Sequence, residues 1–466
     1  MSRIDELQKK YPTIPREIII KWEILNRGVA DTDDLDKASM WAPAGGSYQS
    51  YDHDMTLKQV LEKRPWRAKG DQLLRPDQVF MNRGMSVLLQ RNFKSPYEVR
   101  EESNGQLAFY QGDEKVQDVY YIPRKKGAAD ELVTSKGTRV SSVVTTNRVC
   151  FFIFPVRYCE YFATGDECKF CNFNATQEDS RSVGLGRSVT VNLADTIEAY
   201  QLLGSQTQYV EGRFEMGGFT DAEKESKIHL DFVEKVGSAL AYKPNLTLHT
   251  EATERKAMQR MKDSGLDCIT LQMEVWDRNL FGEILPGKAK TRPYDKWLEG
   301  FQDAVDIFGV GNVGGKIIAG LSMMPENGHS TWQEARDCHI EGNTWLIKHG
   351  VMPTFTNLRL PPGSVYGKTP ILREKLPPTE YFLDVALAHD QAMNEYGLYE
   401  KLNRLMYCGF DCIPAPYAGE IGMLEKAGDV GKWMSKVVPD ETNWLAKVIS
   451  SIEAEAGQKA AKERIG

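Results

Sequence analysis

The sequence predicts an α/β fold built on a parallel sheet, and three observations support that prediction. From about residue 145, short apolar strands alternate six times with longer amphipathic helices. The units are similar in length, and serial strand–helix units need the crossover connections that join parallel strands. The 466-residue chain has 41% hydrophobic and 26% charged residues, as ordinary globular proteins do. We therefore expect six strand–helix units flanked by smaller segments.

Residues 1–144 are more polar and irregular than the rest, and we expect an α+β extension there. Helices are expected around Arg16–Arg27 and around Thr56–Arg64. Two alternating apolar stretches flank Gly112–Asp113 and predict a β-hairpin. The basic, small-residue segment 124–137 marks the boundary with the second part of the chain.

Residues 145–400 contain the six expected strand–helix units. The strands are expected within residues 148–156, 208–218, 245–252, 267–275, 313–323 and 351–360. The helices that separate and follow them are expected within residues 192–205, 222–240, 254–265, 293–309, 331–350 and 379–397. Such units favour a (β/α)6 partial TIM barrel, and a doubly wound open sheet is the alternative. Residues 401–466 are expected to form a short, helical C-terminal segment.

The charge balance excludes some classes of protein. The chain has 58 Lys and Arg against 65 Asp and Glu, a net charge of −7, whereas nucleic-acid-binding proteins are usually basic. No apolar stretch approaches the roughly 20 residues needed to cross a bilayer. The first twenty residues lack the apolar core of a secretory signal. We expect a cytoplasmic protein that binds neither nucleic acid nor membranes.

Eight cysteines are too few for a disulfide scaffold in a chain of this length. Half of them lie between Cys150 and Cys171, and Cys159, Cys168 and Cys171 follow directly after the first expected strand. In a (β/α) barrel this position is the C-terminal face, where active sites are found. The three-cysteine segment is therefore the strongest candidate site in the sequence.

Three thiolates from one loop can bind three irons of a [4Fe–4S] cluster and leave the fourth iron open. A structural zinc site normally takes four ligands from two paired motifs, and here the CxxC pair occurs once. Cys150 could supply a fourth ligand, although its place in an apolar strand favours a core position. Three packing cysteines in one polar loop would be unusual, because buried free cysteine prefers apolar surroundings.

Three cysteines after the first strand of a serial (β/α) chain, with Phe170 before the last of them, resemble the radical S-adenosylmethionine superfamily. The resemblance, which is to its biotin synthase-like barrels, implies a [4Fe–4S] cluster on Cys159, Cys168 and Cys171. The fourth iron would chelate S-adenosylmethionine, and its reductive cleavage would give a 5′-deoxyadenosyl radical. Phe170 would pack near the adenine. The usual spacing is CxxxCxxC, so the eight residues after Cys159 depart from the pattern and leave the subfamily open.

The resemblance also implies further cofactor-binding residues at the strand ends. Gly217 and Gly218 occupy the place of the glycine-rich motif that meets the S-adenosylmethionine amino group. Glu251 and Glu274 end the third and fourth strands, and a carboxylate there is costly unless it has a partner or contacts water. The ribose or methionine part would contact Glu274. In the following loop Arg292 is the preferred partner of the methionine carboxylate, and Lys288 and Lys290 are the alternatives.

Thr356, Asn357 and Arg359 end the sixth strand and are the predicted substrate-binding residues. Arg359 could bind a carboxylate or phosphate, or pair with an acidic residue of a loop. Cys408 and Cys412 could bind part of an auxiliary cluster or be inert, and no catalytic residue is assigned.

The resemblance implies an enzyme that transforms a small polar metabolite, with a lyase or transferase favoured. An external one-electron donor such as flavodoxin or ferredoxin would supply the electron. The alternative is a zinc- or cluster-stabilised, non-catalytic barrel that binds a partner protein.

Overall fold

The protein, seen in a computed structural model, is a mixed α/β protein. The structure describes residues 2–43, 55–81, 85–121, 131–146, 150–186, 188, 190–204, 211–215, 217–239 and 245–401. Apart from Lys401, the predicted C-terminal segment lies outside the described residues, and so do Cys408 and Cys412. The side chain of Cys150 is also outside them.

In its described residues, the N-terminal part combines three α-helices with three small antiparallel sheets. The helices are α1 (Arg3–Lys10), α2 (Arg16–Arg27) and α3 (Leu57–Lys63). The strands are β1 (Ser39–Pro43), β2 (Ala68–Lys69), β3 (Gln72–Pro76), β4 (Gln78–Phe80), β5 (Ser86–Leu88), β6 (Tyr97–Glu101), β7 (Leu107–Gln111) and β8 (Glu114–Val119). They pair in the orders β1-β3-β2, β4-β5 and β6-β7-β8. Both predicted helices are confirmed, as is the hairpin, because β7 and β8 turn at Gly112–Asp113.

A larger sheet follows in the order β15-β14-β13-β12-β11-β10-β9. Its strands are β9 (Thr145–Thr146), β10 (Cys150–Ile153), β11 (Glu211–Glu215), β12 (Asn245–Thr250), β13 (Cys268–Glu274), β14 (Val313–Ala319) and β15 (Met352–Asn357). Each neighbouring pair from β10 to β15 is parallel, and β9 is antiparallel to β10. The predicted parallel α/β core is confirmed.

The connections between these strands are helical, as parallel pairing requires. The helices are α4 (Val140–Val143), α5 (Tyr161–Thr164), α6 (Phe173–Ser182), α7 (Leu193–Gly204), α8 (Ala222–Ala239), α9 (Arg255–Asp263), α10 (Arg278–Ile284), α11 (Pro286–Thr291), α12 (Tyr294–Phe308), α13 (Trp332–Lys348) and α14 (Thr379–Glu395). The N-termini follow the sequence signals. Asn192 accepts hydrogen bonds from the backbone of Ala194 and Asp195 at the start of α7.

Helix α2 packs onto the last strand and the last helix of this core. The Trp22 ring stacks between Phe355 and Phe382, with ring centroids 5.1 and 4.7 Å apart. The Asn357 side-chain amide donates to the Leu25 carbonyl at 2.8 Å. Since β15 pairs only with β14 among the described strands, α2 covers a sheet edge that would otherwise be open.

None of the helices in the described ranges is both long enough and apolar enough to span a membrane.

Acidification should weaken the fold through buried histidines. Burial lowers the pKa of His229, His339 and His389 to about 3. The unfolded chain takes up protons near pH 6.5 while these folded rings stay neutral, so stability falls as the pH drops from about 6.5 towards 3. Each of the three histidines should lower the free energy of unfolding at pH 5.5 by roughly 1.4 kcal/mol relative to pH 7.5.

Urea unfolding of wild type and of His389→Met at pH 7.5 and 5.5 measures how much of this loss of stability comes from His389. Both ring nitrogens of His389 lack a hydrogen-bond partner among the described residues, so methionine removes no contact of that kind. The variant should lose less stability between the two pH values than wild type. An equal loss in both proteins would contradict the assignment.

Candidate active site

One cavity opens where the parallel strands end, and most of the predicted site residues meet there. The predicted residues that line it are Cys159, Cys168, Phe170, Cys171, Gly217, Gly218, Glu251, Glu274, Thr356, Asn357 and Arg359. Arg292 is not among the lining residues, whereas Lys288 is. Residues from five strand ends and from the cysteine segment therefore converge on a single space.

The cysteine segment is held to the rest of the site by backbone contacts. The Asn174 side chain accepts from the Cys159 N–H at 2.9 Å and donates to the Cys159 carbonyl at 3.2 Å. The Lys169 N–H donates to the Ile284 carbonyl at 3.0 Å, and the Glu160 N–H donates to the Gly218 carbonyl at 2.9 Å. These bonds fix the positions from which the thiols project.

Two of the three cysteines, Cys159 and Cys168, are buried, and Cys171 is partly buried. Burial, followed by the neighbouring Cys171, raises the pKa of Cys159 to about 12. Burial also raises the pKa of Cys171 to about 11 and that of Cys168 well above its usual value. A positively charged metal centre would reverse this preference, because it stabilises the thiolate form.

The spread of the thiols bears on which metal they could hold. Zinc–sulfur bonds of about 2.3 Å in a tetrahedron place sulfur atoms roughly 3.8 Å apart. Within the described part of the chain, three ligand atoms of the Cys, His or carboxylate type lie within 4.8 Å of one another only at Asp277, His329 and Cys338. The three cysteines of the cavity do not form such a group, so their sulfur atoms are not all within 4.8 Å of one another.

Gly217 and Gly218 let the cysteine segment pack onto the loop after β11. A Cβ atom on Gly217 would lie 2.2 Å from the Tyr158 carbonyl oxygen and 2.7 Å from the Cys159 Cα. On Gly218 it would lie 2.3 Å from the Tyr161 ring and 2.7 Å from Glu251 Oε1. Both positions need glycine for this close approach.

Glu251 belongs to a buried charge cluster. Arg292 donates to Glu251 Oε2 and to Glu225 Oε2, each at 2.7 Å, and also to the Ala252 carbonyl. The Tyr161 hydroxyl donates to Glu251 Oε2 at 3.1 Å. Burial, and then the nearby Glu225 carboxylate, raises the pKa of Glu251 to about 7.

The second oxygen of Glu251 is left for a ligand. Glu251 Oε1 is buried and has no hydrogen-bond partner among the described residues. An unsatisfied buried carboxylate oxygen is costly, so a donor group placed in the cavity would be stabilised there.

Glu274 occupies an unusual backbone conformation at the end of β13. Its φ of 70° is the only positive value for a non-glycine residue in the described ranges, and the strand register shifts between Leu271 and Glu274. Such strain concentrates at functional sites. The Lys288 ammonium lies 3.7 Å from Glu274 Oε1, while Glu274 Oε2 is buried without a partner in the described structure.

Several cavity residues were not predicted from the sequence. They are Phe154, Tyr161, Asn172, Phe173, Glu215, Gln272, Lys316, Leu358 and Pro361, and Lys288 was only an alternative. Two of them carry a readable signal. Lys316 interrupts the apolar strand β14, and Glu215 ends β11 in the place that Glu251 and Glu274 occupy near their own strand ends.

The substrate-side residues lie together at the end of β15. Thr356 and Asn357 are its last two residues, and Arg359 follows. The amide nitrogen of Asn357 already donates a hydrogen bond to the Leu25 carbonyl of α2. Its Oδ1 is buried and has no partner in the described ranges. With Lys288 and Lys316, Arg359 gives the cavity three cationic side chains.

Comparison with known proteins gives one curated relative. No family model matches the chain. Bacteriochlorophyllide c C-7(1)-hydroxylase from Chlorobaculum limnaeum is 27% identical over 243 residues, which cover 48% of this chain and 56% of that protein. The chain therefore matches little more than half the length of this relative.

The match supports the resemblance of this chain to the radical S-adenosylmethionine superfamily. The cofactors of that superfamily are a [4Fe–4S] cluster and S-adenosylmethionine, as the resemblance implies. The residues of the cavity fit both groups. It offers three thiols from one segment for the cluster, and two carboxylate oxygens without partners among the described residues for the amino and hydroxyl donors of S-adenosylmethionine.

Solved structures show weaker likeness. Methylornithine synthase is 14% identical with a TM-score of 0.37, over 53% of this chain and 63% of that one. The [FeFe]-hydrogenase maturase HydG is 14% identical with a TM-score of 0.39, over 53% and 49% of the two chains. Coproporphyrinogen III oxidase from Escherichia coli, a radical SAM enzyme, is 10% identical with a TM-score of 0.34, over 54% and 53%. These scores are too low to carry an argument about this chain.

Replacement of Arg292 should destabilise the fold. Arg292→Met leaves Glu225 and Glu251 buried without their common partner, and breaking a buried pair costs about 3–5 kcal/mol. Urea unfolding measures the loss. Arg278→Met is the matched control, because Arg278 pairs with Asp295 at the surface, where such pairs contribute about 0–1 kcal/mol. Equal losses in the two variants would contradict the assignment.

Proposed function

We propose that this chain is a radical S-adenosylmethionine enzyme in which Cys159, Cys168 and Cys171 bind the [4Fe–4S] cluster. The six parallel strands would form a partial (β/α)6 barrel around the cluster and its ligand. The main support is that three cysteines, two glycines and two glutamates line one cavity at the strand ends, and that each glutamate has a buried oxygen without a hydrogen-bond partner among the described residues. A cluster with S-adenosylmethionine supplies one-electron cleavage of the sulfonium, which gives a carbon radical able to take hydrogen from a substrate.

The chain's own side chains would bind and orient S-adenosylmethionine. Glu251 Oε1 accepts a hydrogen bond from its amino group beside the backbone of Gly217 and Gly218. Glu274 Oε2 accepts from a ribose hydroxyl. Phe170 packs near the adenine, because its ring lines the cavity between two of the cysteines.

The methionine carboxylate needs a cation, and the contacts favour Lys288 over Arg292. The Arg292 guanidinium is occupied by Glu225, Glu251 and a backbone carbonyl. Lys288 lines the cavity, and its ammonium donates to the Gln272 carbonyl at 2.5 Å, which leaves other protons for a ligand. We therefore assign Arg292 to positioning Glu251, and Lys288 to the carboxylate.

The substrate would lie against Thr356, Asn357 and Arg359. Arg359 and Lys316 favour a substrate that carries a carboxylate or phosphate. A lyase or transferase acting on a small polar metabolite remains our first proposal, with an external one-electron donor and a cytoplasmic location. Hydroxylation is the second candidate, because the curated relative is a hydroxylase by name.

The cluster assignment is tested by metal analysis of the anaerobically reconstituted chain. About four irons and four acid-labile sulfides per chain are expected, with absorbance near 400 nm. Replacing Cys159, Cys168 and Cys171 together by Ala should remove the iron, the sulfide and the absorbance. Cys268→Ala is the control, because that thiol begins β13, and the cavity lies where β13 ends. One zinc ion in place of iron would favour the non-catalytic barrel.

Activity is tested by incubating the reduced protein with S-adenosylmethionine and compounds bearing carboxylates or phosphates. Release of 5′-deoxyadenosine, stimulated by one class of compound, is expected. Its absence with an intact cluster, both with and without these compounds, would count against radical chemistry.

The Lys288 assignment predicts a specific loss of affinity. Lys288→Gln should raise the Kd for S-adenosylmethionine by roughly tenfold or more, because a charge-assisted hydrogen bond contributes about 1.5–3 kcal/mol. Equilibrium binding to the cluster-loaded protein measures it. Lys290→Gln is the matched control, since Lys290 is exposed and pairs with Asp166. A similar change in both variants would contradict the assignment.

A further inference from the structure

A second group of ligand-type side chains lies outside the cavity. The ligand atoms of Asp277, His329 and Cys338 are all within 4.8 Å of one another. Asp277 follows β13 and precedes α10, His329 lies in the loop between β14 and α13, and Cys338 is on α13. The group therefore joins three separate segments of the chain.

The histidine and the carboxylate face each other without forming a hydrogen bond. His329 Nε2 lies 3.2 Å from Asp277 Oδ2. Yet this nitrogen is buried and has no hydrogen-bond partner among the described residues. Zinc bonds of about 2.0–2.2 Å to nitrogen and oxygen in a tetrahedron would place two such atoms roughly 3.3–3.5 Å apart. The observed separation is close to that of two ligands of one ion.

Two of the three ligands, Asp277 and His329, are held by contacts that leave the metal-facing atom available. Asp277 Oδ1 accepts from the backbone of Asn279 and Leu280, at 2.8 and 3.3 Å, which leaves Oδ2 for the site. The backbone N–H of His329 donates to the Ser322 carbonyl at 3.0 Å. Before it, a Cβ on Gly328 would lie 2.4 Å from that carbonyl oxygen, so the loop is tightly packed there.

We propose that Asp277, His329 and Cys338 form a zinc site that is separate from the cysteine segment. A thiolate, an imidazole and a carboxylate together suit zinc among the common divalent ions. All three residues are partly buried, so the group lies near the surface of the protein. The ion fixes the segment after β13, three residues beyond Glu274, against α13. This assignment does not depend on the proposed radical chemistry.

Zinc binding is tested on the full chain with its cluster reconstituted, so that the cavity cysteines are occupied. The protein is mixed with one equivalent of zinc chloride and desalted, and iron and zinc are counted. About one zinc per chain is expected beside the iron. Cys338→Ser and Asp277→Asn should weaken zinc binding by more than tenfold in a chelator competition, with iron content unchanged.

Matched controls separate a lost ligand from a general effect of substitution. Asp337→Asn changes the same charge one residue from Cys338, on a side chain that is 67% exposed, and should keep the zinc. Cys268→Ala removes a buried thiol elsewhere and should also keep it.

Zinc K-edge absorption gives a readout that does not depend on any variant folding. One sulfur with nitrogen and oxygen ligands is expected. Three or four sulfurs would place the ion at other cysteines and overturn the proposal. Failure of the wild type to retain zinc, or equal retention by Cys338→Ser and Asp337→Asn, would overturn it as well.

Discussion

Arg292 lies buried between Glu225 and Glu251, and this contact joins three parts of the core. Glu225 is on α8, Glu251 follows β12, and Arg292 follows α11. One guanidinium shared by two carboxylates sets the position of Glu251, whose other oxygen has no hydrogen-bond partner among the described residues. Tyr161 extends the cluster into the cysteine segment, because its hydroxyl bonds Glu251. The cysteine segment and the strand ends are therefore coupled through a single cation.

The eight residues between Cys159 and Cys168 have a structural role in this arrangement. It contains α5, whose Tyr161 packs over Gly218 and against Gly287. The Gly287 N–H also bonds the Asp166 carbonyl at 2.9 Å. The added residues thus fill the space between the loop after β11 and the start of α11. A shorter spacer would leave that space empty.

Much of this could be predicted from the sequence because it depends on local patterns. The period of the apolar residues located the strands, and strand ends located Glu251, Glu274 and Thr356. The pairing of Arg292 could not be predicted, because it depends on Glu225, which lies 67 residues away on α8. The packing of α2 on β15 could not be predicted either, because the contact of Trp22 with Phe355 joins residues that are far apart in the sequence. Lys316 was readable in principle as a charge inside an apolar strand.

Glu274 carries the one left-handed backbone found at a non-glycine position in the described ranges. Glycine adopts that conformation without the steric cost that a side chain brings, which is of order 1–3 kcal/mol. Selection for thermal stability alone would therefore favour glycine at this position and discard the carboxylate. Directed evolution of a more robust form of this protein should keep position 274 fixed, since a gain in melting temperature there would come at the expense of the site.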